Sequence, residues 1–304
     1  MPCFINLPLS WLREQPAWAD WFVAGRIAPE LGLDDASLTL PDSWHRDMAA
    51  RFRDAGLPCA VHLPFLGVDA GNPDPLLADL AKDALQRGAE LTRLYGAQHM
   101  IGHPYFRIKM SGLCLERDLA RWLEQSRAVW PELPRIAGAP LFLENTYEAS
   151  PDAIATLVAA LQPEVTDGPA AGGCTDGPGI GVCFDVGHWH AFAKKSRPEE
   201  LDPWLDAFCP FAMHLHLHDN DGNFDQHRGL GCGDVPFDAL FARLRARGKT
   251  VTVTLEPHDT EALVASARWL EANPGVAAAV AWERPRLEAL PLAEIERNIV
   301  NGKA

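Results

Sequence analysis

The segment from 179 to 230 is dense in side chains that bind metal ions. It begins with GIGVCFDVGHWHAF (179–192) and ends with AMHLHLHDNDGNFDQHRGL (212–230). In both parts an apolar run ends at a carboxylate or an imidazole. Buried parallel strands read as continuous apolar runs, so we expect these polar groups to emerge at strand ends. The candidate ligands there are Asp185, His188, His216, Asp225 and His227.

Similar apolar runs recur along the rest of the chain, separated by amphipathic segments with the 3.6-residue spacing of helices. The predicted strands are 3–7, 37–40, 59–63, 99–101, 141–143, 181–184, 212–217 and 250–255. The predicted helices are 44–55, 75–95, 116–130, 152–161, 199–208, 237–247 and 260–272, with a largely helical segment over 9–31. Eight strands alternating with helices predict an α/β fold, a parallel (β/α)₈ TIM barrel.

Carboxylates and imidazoles recur near the ends of six predicted strands at intervals that a βα unit can span. The intervals are 41, 41, 41, 31 and 40 residues, between His62, His103, Glu144, Asp185, His216 and Glu256. In a barrel, the carboxyl ends of the strands form the face where catalytic groups gather. An open doubly wound sheet would not bring six strand ends to one centre, and no Gly-x-Gly-x-x-Gly follows the first strand.

The chain of 304 residues reads as one domain over 1–304, because no linker divides it. A Gly- and Pro-rich segment at about 162–179 is predicted to be a long loop on the opposite face of the barrel. The tail after 274 is predicted to end in a helix over 292–300. No apolar run approaches the roughly 18–20 residues of a membrane span, and we find no signal peptide at the N-terminus.

Charge and cysteine usage restrict the partners and the compartment. The net charge is −14, which disfavours a polyanionic partner and makes nucleic acid doubtful. The seven cysteines are scattered without a Cys-x-x-Cys, which is typical of reduced thiols in the cytoplasm. The sequence gives no indication of oligomeric state.

The candidate ligands form a nitrogen and oxygen donor set suited to zinc, with manganese as the alternative. Each residue alone also fits a core histidine, a helix cap or a solvated loop, and the argument depends on their combination. His214, His216 and His218 alternate with leucines and should share one strand face. His216 is the ligand candidate, whereas the roles of His190, His214 and His218 stay open. No thiol is expected to join the set, and Cys183 is interpreted as a core residue.

Short motifs over 60–257 resemble the endonuclease IV branch, or AP endonuclease family 2, of the xylose isomerase-like TIM barrels. They are VHLPFL (61–66), HP (103–104), LENT (143–146), DVGH (185–188), HLHDN (216–220), DQH (225–227) and LEP (255–257). The resemblance implies three metal ions, usually zinc, held by nine residues in three groups. The groups are His62, His103 and Glu144; the bridging Glu144 with Asp185, His216 and Glu256; and His188, Asp225 and His227.

The resemblance implies a metal-dependent hydrolase that cleaves a phosphodiester with a metal-activated hydroxide at a trinuclear site. Glu144 and Glu256 are its candidate catalytic residues, and Glu256 would help to accept the proton of the attacking water. Acidic loops replace basic DNA contacts, and Tyr147 follows LENT where the family has a Gly-Gln-Gly loop. We therefore expect a small nucleotide-like substrate, with Arg107, Lys109 and Arg228 as candidate phosphate contacts.

Three alternatives remain open at this point. A single-metal sugar or sugar-phosphate isomerase or epimerase would need only Glu144, Asp185, His216 and Glu256, with the two glutamates flanking the substrate. An AP endonuclease acting on abasic DNA is a second alternative. A non-catalytic metal- or ligand-binding barrel is the third, because one fold hosts many functions.

Overall fold

The computed structural model describes residues 3–110, 113–165 and 179–283. Eight of its strands are parallel, namely β1 (Cys3–Pro8), β2 (Ala28–Gly32), β3 (Ala60–His62), β4 (Met100–Gly102), β7 (Leu141–Glu144), β8 (Ile180–Asp185), β9 (Met213–Leu217) and β10 (Thr252–Leu255). They close into a barrel in the order β1-β10-β9-β8-β7-β4-β3-β2, with the helices outside it. This confirms the predicted single-domain (β/α)₈ TIM barrel.

Thirteen helices lie within the described residues. They are α1 (Leu9–Glu14), α2 (Ala17–Gly25), α3 (Asp35–Leu38), α4 (Asp42–Asp54), α5 (Pro75–Tyr95), α6 (Leu119–Arg127), α7 (Glu132–Ala137), α8 (Asp152–Val165), α9 (Val186–Ala191), α10 (Leu201–Phe208), α11 (Phe237–Ala246), α12 (Thr260–Ala272) and α13 (Pro274–Ala279). An antiparallel hairpin of β5 (Arg107–Met110) and β6 (Leu113–Glu116) is inserted after β4.

Local chemistry explains the helix boundaries that the sequence predicts best. The side chain of Asp74 accepts a hydrogen bond from the Leu76 amide, and Pro75 occupies the first turn of α5. Gly96 then ends this helix in the left-handed conformation at φ 61°, which glycine adopts without a steric penalty. Asp259 caps α12 in the same way, by accepting from the Ala262 amide.

The second barrel strand was predicted in the wrong place. Residues 37–40 do not form a strand, because Asp34 and Ser37 make a reciprocal capping box that starts α3. The true strand is β2, which overlaps the end of the segment predicted to be helical over 9–31 and pairs with both β1 and β3. Its sequence, APELG, contains proline, glycine and a charged residue, so it lacks the apolar pattern of a strand.

The core lies between the barrel and the helix layer, and four tryptophans at 122, 130, 189 and 204 are fully buried in it. The barrel interior also holds a buried polar layer that includes Glu30, His99, His214 and Thr254. Most of the predicted loop at 162–179 and the predicted helix at 292–300 lie outside the described residues. None of the described helices is long and apolar enough to cross a membrane. The cytoplasmic location stays a prediction.

Candidate metal centre

Neighbouring strands deliver the candidate ligands to one end of the barrel. His62, Glu144 and Asp185 are the last residues of β3, β7 and β8. His103 directly follows β4, and Glu256 directly follows β10. Because the strands are parallel and in register, their carboxyl ends meet, and Asp185 pairs directly with His216 of β9. The regular spacing of these residues in the sequence thus corresponds to one cluster in space.

Glu144 is the centre of one half of the site. Its Oε2 lies 3.4 Å from Nε2 of His62 and 3.1 Å from Nε2 of His103. The same oxygen lies 3.2 Å from Nδ1 of His216, and Oε1 lies 3.2 Å from Nδ1 of His188. One fully buried carboxylate therefore contacts four imidazoles, which is the arrangement expected of a bridging ligand.

Asp185 and Asp225 connect the other half of the site. Asp185 Oδ2 lies 3.4 Å from Nδ1 of His188, and its Oδ1 lies 3.2 Å from Nε2 of His218. Asp225 Oδ2 lies 3.2 Å from Nε2 of both His188 and His227. All nine candidate ligands are thus brought together in one continuous cluster of carboxylates and imidazoles.

His216 lies between the two halves. Its Nδ1 lies 3.2 Å from Glu144 Oε2 and 3.1 Å from Glu256 Oε1, so the two glutamates approach it from different strands. Its Nε2 lies 3.2 Å from Oε1 of Glu30, on the far side of the ring. The side chain is fully buried, and carboxylates approach both of its ring nitrogens.

The geometry of the cluster fits a divalent metal ion better than a hydrogen-bond network. Both ring nitrogens of His216 and Oδ1 of Asp225 are buried without a well-directed hydrogen bond, although carboxylates or imidazoles lie within 3.5 Å. Buried polar atoms nearly always have a hydrogen-bond partner. Nitrogen and oxygen atoms that converge without well-directed hydrogen bonds therefore indicate a further partner, such as a metal ion. Imidazole nitrogens and carboxylate oxygens in this arrangement suit zinc or manganese.

Cys183 is a buried core residue, as predicted, and packs with Ile101 and Phe142. Its thiol lies within 4.8 Å of ligand atoms of Glu144 and His216. Burial raises the pKa of this thiol well above its ordinary value, which keeps it neutral. In the metal-free protein the sulfur is therefore a neutral thiol close to the centre.

The cluster perturbs its own protonation states. Burial alone would raise the pKa of Glu144, but the imidazoles of His103 and His216 hold it well below its ordinary value. Burial raises the pKa of Glu256 despite the same His216 nearby. Burial would lower the pKa of His188, yet its carboxylate neighbours raise it well above the ordinary value. Protonated imidazoles thus balance the carboxylates, and a metal ion would replace those protons.

Several residues of the site were missed or left open by the sequence. His218, His227 and His258 form a stack, with ring centroids 3.8 Å and 3.7 Å apart in successive pairs. Tyr105 has a left-handed backbone at φ 50° and holds His103, since its hydroxyl lies 3.2 Å from Nδ1 of His103. Left-handed backbone conformations of non-glycine residues cluster at functional sites. No sequence pattern indicates this conformation at Tyr105.

An open cavity of about 760 Å³ lies over the cluster. Its wall combines aromatic and aliphatic side chains, namely Leu7, Leu33, Phe65, Leu66, Tyr105, Tyr147 and Phe192. Among the described residues, no lysine or arginine lines it. The expected phosphate contacts are engaged elsewhere, because Arg107 pairs with Glu116 and Arg228 pairs with Asp221. The side chain of Lys109 lies outside the described residues.

Comparisons with known proteins agree with the fold and change the functional interpretation. A family model described as xylose isomerase-like TIM barrel matches residues 26–273. The TTHB071 protein from Thermus thermophilus, whose crystal was soaked with ZnCl₂, is 28% identical over 91% of this chain and 99% of that chain, with a TM-score of 0.67. A search of curated proteins gave no significant match.

Two further structural neighbours are sugar epimerases. D-psicose 3-epimerase from Clostridium cellulolyticum H10 is 14% identical over 84% of both chains, with a TM-score of 0.62. The 3-keto-D-glucoside 4-epimerase from E. coli is 16% identical over 90% of this chain and 99% of that chain, with a TM-score of 0.61. At these identities the similarity establishes the fold.

The prediction of a phosphodiester hydrolase was wrong. The superfamily part of the resemblance is confirmed, but the endonuclease IV branch is not, and the named activities among the neighbours are sugar epimerisations. The error has a physical reason, because a set of histidines and carboxylates specifies a preference for a metal and not the substrate. The cavity agrees with rejecting the hydrolase, since its described lining includes no lysine or arginine that could bind a phosphodiester.

Proposed function

We propose that this chain, which belongs to the xylose isomerase-like TIM barrel family, is an enzyme that acts on a sugar. The reaction would be a metal-dependent epimerisation or isomerisation. The observation that carries the proposal is the placement of two glutamates around one ligand. Glu144 Oε2 and Glu256 Oε1 lie 3.2 Å and 3.1 Å from the same Nδ1 of His216. Two carboxylates flanking one point below an open cavity can act on both faces of a bound carbon.

We assign the central ion to Glu144, Asp185, His216 and Glu256. When bound, such an ion polarises a carbonyl and makes the neighbouring C–H more acidic. The other donors form two flanking groups, His62 with His103 and His188 with Asp225 and His227. These groups share or approach Glu144 and Asp185, so the centre has the capacity for up to three ions, with zinc or manganese favoured by its donors.

The two glutamates would move one proton each. One carboxylate removes the proton from the carbon next to the sugar carbonyl, and the electron pair forms an enediolate. The other glutamate, in its acid form, returns a proton to the opposite face of that carbon, so that the configuration inverts and no atom is lost. The opposite pKa displacements of Glu144 and Glu256 suit such divided roles.

The cavity lining favours an uncharged sugar over a sugar phosphate. A phosphate normally binds arginine, lysine or a helix N-terminus, whereas the charged residues that line the described part of this cavity are acidic or histidine. Its aromatic side chains, including Phe65 and Phe192, can stack on the apolar face of a sugar ring. Carboxylates such as Asp34 can accept hydrogen bonds from hydroxyl groups.

Solvent exchange provides the direct test. The metal-loaded protein would be incubated in D₂O with a panel of free ketoses and keto-glycosides, and proton NMR would follow each C–H next to a carbonyl. We expect deuterium to enter at one carbon together with the epimer, and Glu256→Gln to reduce both by about 10²- to 10⁴-fold. Glu148→Gln is the matched control, because this buried glutamate accepts from the amides of Thr146 and Arg107. Absence of exchange across the panel with metal bound would refute the proposal.

A further inference from the structure

Glu30 is a buried carboxylate that the proposed proton transfers do not use. It lies on β2 with 1% of its surface exposed. Its Oε1 lies 3.2 Å from Nε2 of His216, and its Oε2 accepts a hydrogen bond from the Thr254 hydroxyl at 2.7 Å. Burying a charged group is costly unless it is paired and hydrogen-bonded. The contacts with His216 and Thr254 therefore compensate for the burial of Glu30.

Glu30 contacts one ring nitrogen of His216, and the proposed metal site lies at the other. The other ring nitrogen, Nδ1, faces Glu144 and Glu256 in the proposed central site. A neutral imidazole carries its proton on one nitrogen and offers a lone pair on the other. A carboxylate 3.2 Å from Nε2 favours the proton on that nitrogen by charge attraction, even without a well-directed hydrogen bond, and leaves Nδ1 free for a metal ion. A carboxylate at the outer nitrogen orients ligating histidines in known sites.

The surroundings of Glu30 hold its carboxylate in this orientation. Thr254 lies on β10, and its hydroxyl is also 3.0 Å from Nε2 of His214. The other nitrogen of His214 lies 2.6 Å from the Thr252 hydroxyl. His99 Nε2 is 3.5 Å from Oε2 of Glu30. These groups crowd Oε2, so Oε1 is the oxygen presented to His216.

We infer that Glu30 is a positioning residue, which holds His216 as the Nε2–H tautomer and so presents its Nδ1 to the metal ion. This inference concerns metal binding and goes beyond the proposed epimerisation. It holds or fails whichever reaction the centre catalyses.

The variant Glu30→Gln tests the inference with little change in volume. If the amide oxygen replaces Oε2 beside Thr254, the amide NH₂ faces Nε2 of His216 and favours the opposite tautomer. We expect the Kd for Zn²⁺, measured on metal-free protein by competition with a chelator, to rise by about 10- to 100-fold. In ¹⁵N spectra of histidine-labelled metal-free protein, recorded at alkaline pH where His216 carries a single proton, that proton should move from Nε2 to Nδ1. The His216 signals are assigned with His216→Gln.

Glu148→Gln is again the matched control, since it neutralises a buried glutamate that contacts backbone amides. It should leave both the Zn²⁺ affinity and the His216 spectrum unchanged. If Glu30→Gln does not fold, Thr254→Val serves instead, because it removes the hydroxyl that fixes Oε2. It should weaken Zn²⁺ binding by less than Glu30→Gln, and the proton of His216 should stay on Nε2.

Two results would overturn the inference. One is wild-type Zn²⁺ affinity and an unchanged His216 tautomer in a folded Glu30→Gln protein. The other is the loss of one ion per chain with unchanged affinity for those that remain, because Glu30 would then be a ligand itself.

Discussion

The candidate centre has two halves that are held in different ways. Glu144, Asp185 and His216 lie on barrel strands, and their side chains are at most 2% exposed. Asp225 and His227 lie in the segment 218–236 between β9 and α11, with side chains 21% and 11% exposed. Strand register positions the first half, which we call the strand half. The second, the loop half, depends on its own local bonds.

Asp219 supplies those local bonds for the loop half. Its carboxylate accepts hydrogen bonds from the amides of Asn220, Gly231 and Val235. Its backbone pairs with Arg228 in both directions, at 2.9 Å and 2.8 Å. The strand half is therefore held rigidly by the barrel, whereas the loop half is held by a surface segment whose hydrogen bonds are largely its own.

The largest effect is expected from Glu144→Gln in the strand half. The change removes the charge that contacts four imidazoles, so both metal retention and proton transfer should fail. We expect the turnover of an active sugar to fall by about 10²- to 10⁴-fold, and elemental analysis to find less metal per chain. Near-normal turnover in a metal-loaded Glu144→Gln protein would show that the strand half is not the chemical half.

A smaller effect is expected from His227→Asn in the loop half. The central ion should stay bound, because its four proposed ligands are untouched, while an ion held by the loop half should be lost. Turnover should fall by no more than about tenfold, or about 1.4 kcal/mol of barrier. The measurement is metal content per chain together with kcat. Loss of all metal from His227→Asn would mean that the two halves form one inseparable cluster.

The smallest effect concerns the pH dependence of the metal-free protein. Burial would lower the pKa of His227, but Asp225 and Glu256 raise it above its ordinary value. A raised histidine pKa stabilises the fold fully below pH about 6.5 and loses that contribution as the pH rises through the folded-state pKa. Burial would raise the pKa of Asp225, yet His188 and His227 hold it far below its ordinary value, so its contribution is lost only in acid.

The metal-free protein should therefore melt at a higher temperature at pH 6 than at pH 9, by on the order of 2–4 °C for each kcal/mol involved. Thermal unfolding across this range is the measurement. Asp225→Asn should flatten the difference, whereas Asp202→Asn, in a surface pair with Arg247, should keep it. An equal melting temperature of the wild-type protein at pH 6 and pH 9 would show that protonation of His227 does not stabilise the fold.

The sequence predicted the barrel and the convergence of the nine candidate ligands because short local patterns indicate both. Apolar runs followed by a histidine or a carboxylate mark strand ends, and the apolar spacing predicted the bounds of α5 and α12 correctly. Glu30 was missed because its strand has no apolar pattern and becomes a strand only by pairing with its neighbours. This is a tertiary effect that local propensity does not contain.

The reaction could not be predicted for a different reason. The identity of the ligands determines which ion is bound, but the substrate is selected by the cavity above it. The side chains of that cavity, such as Leu33, Phe65 and Phe192, come from separate loops. No short motif brings them together, so the absence of cations from the described lining became visible only in three dimensions.

The hydrogen bond between Glu30 and Thr254 joins positions 224 residues apart in the sequence. Bringing two such distant positions together costs more chain entropy than closing a short loop. During synthesis, β10 leaves the ribosome long after β2, so His216 cannot gain its complete surroundings until the barrel closes. Full metal affinity thus becomes a signal of completed folding, and N-terminal fragments that end before β10 should compete poorly for the ion.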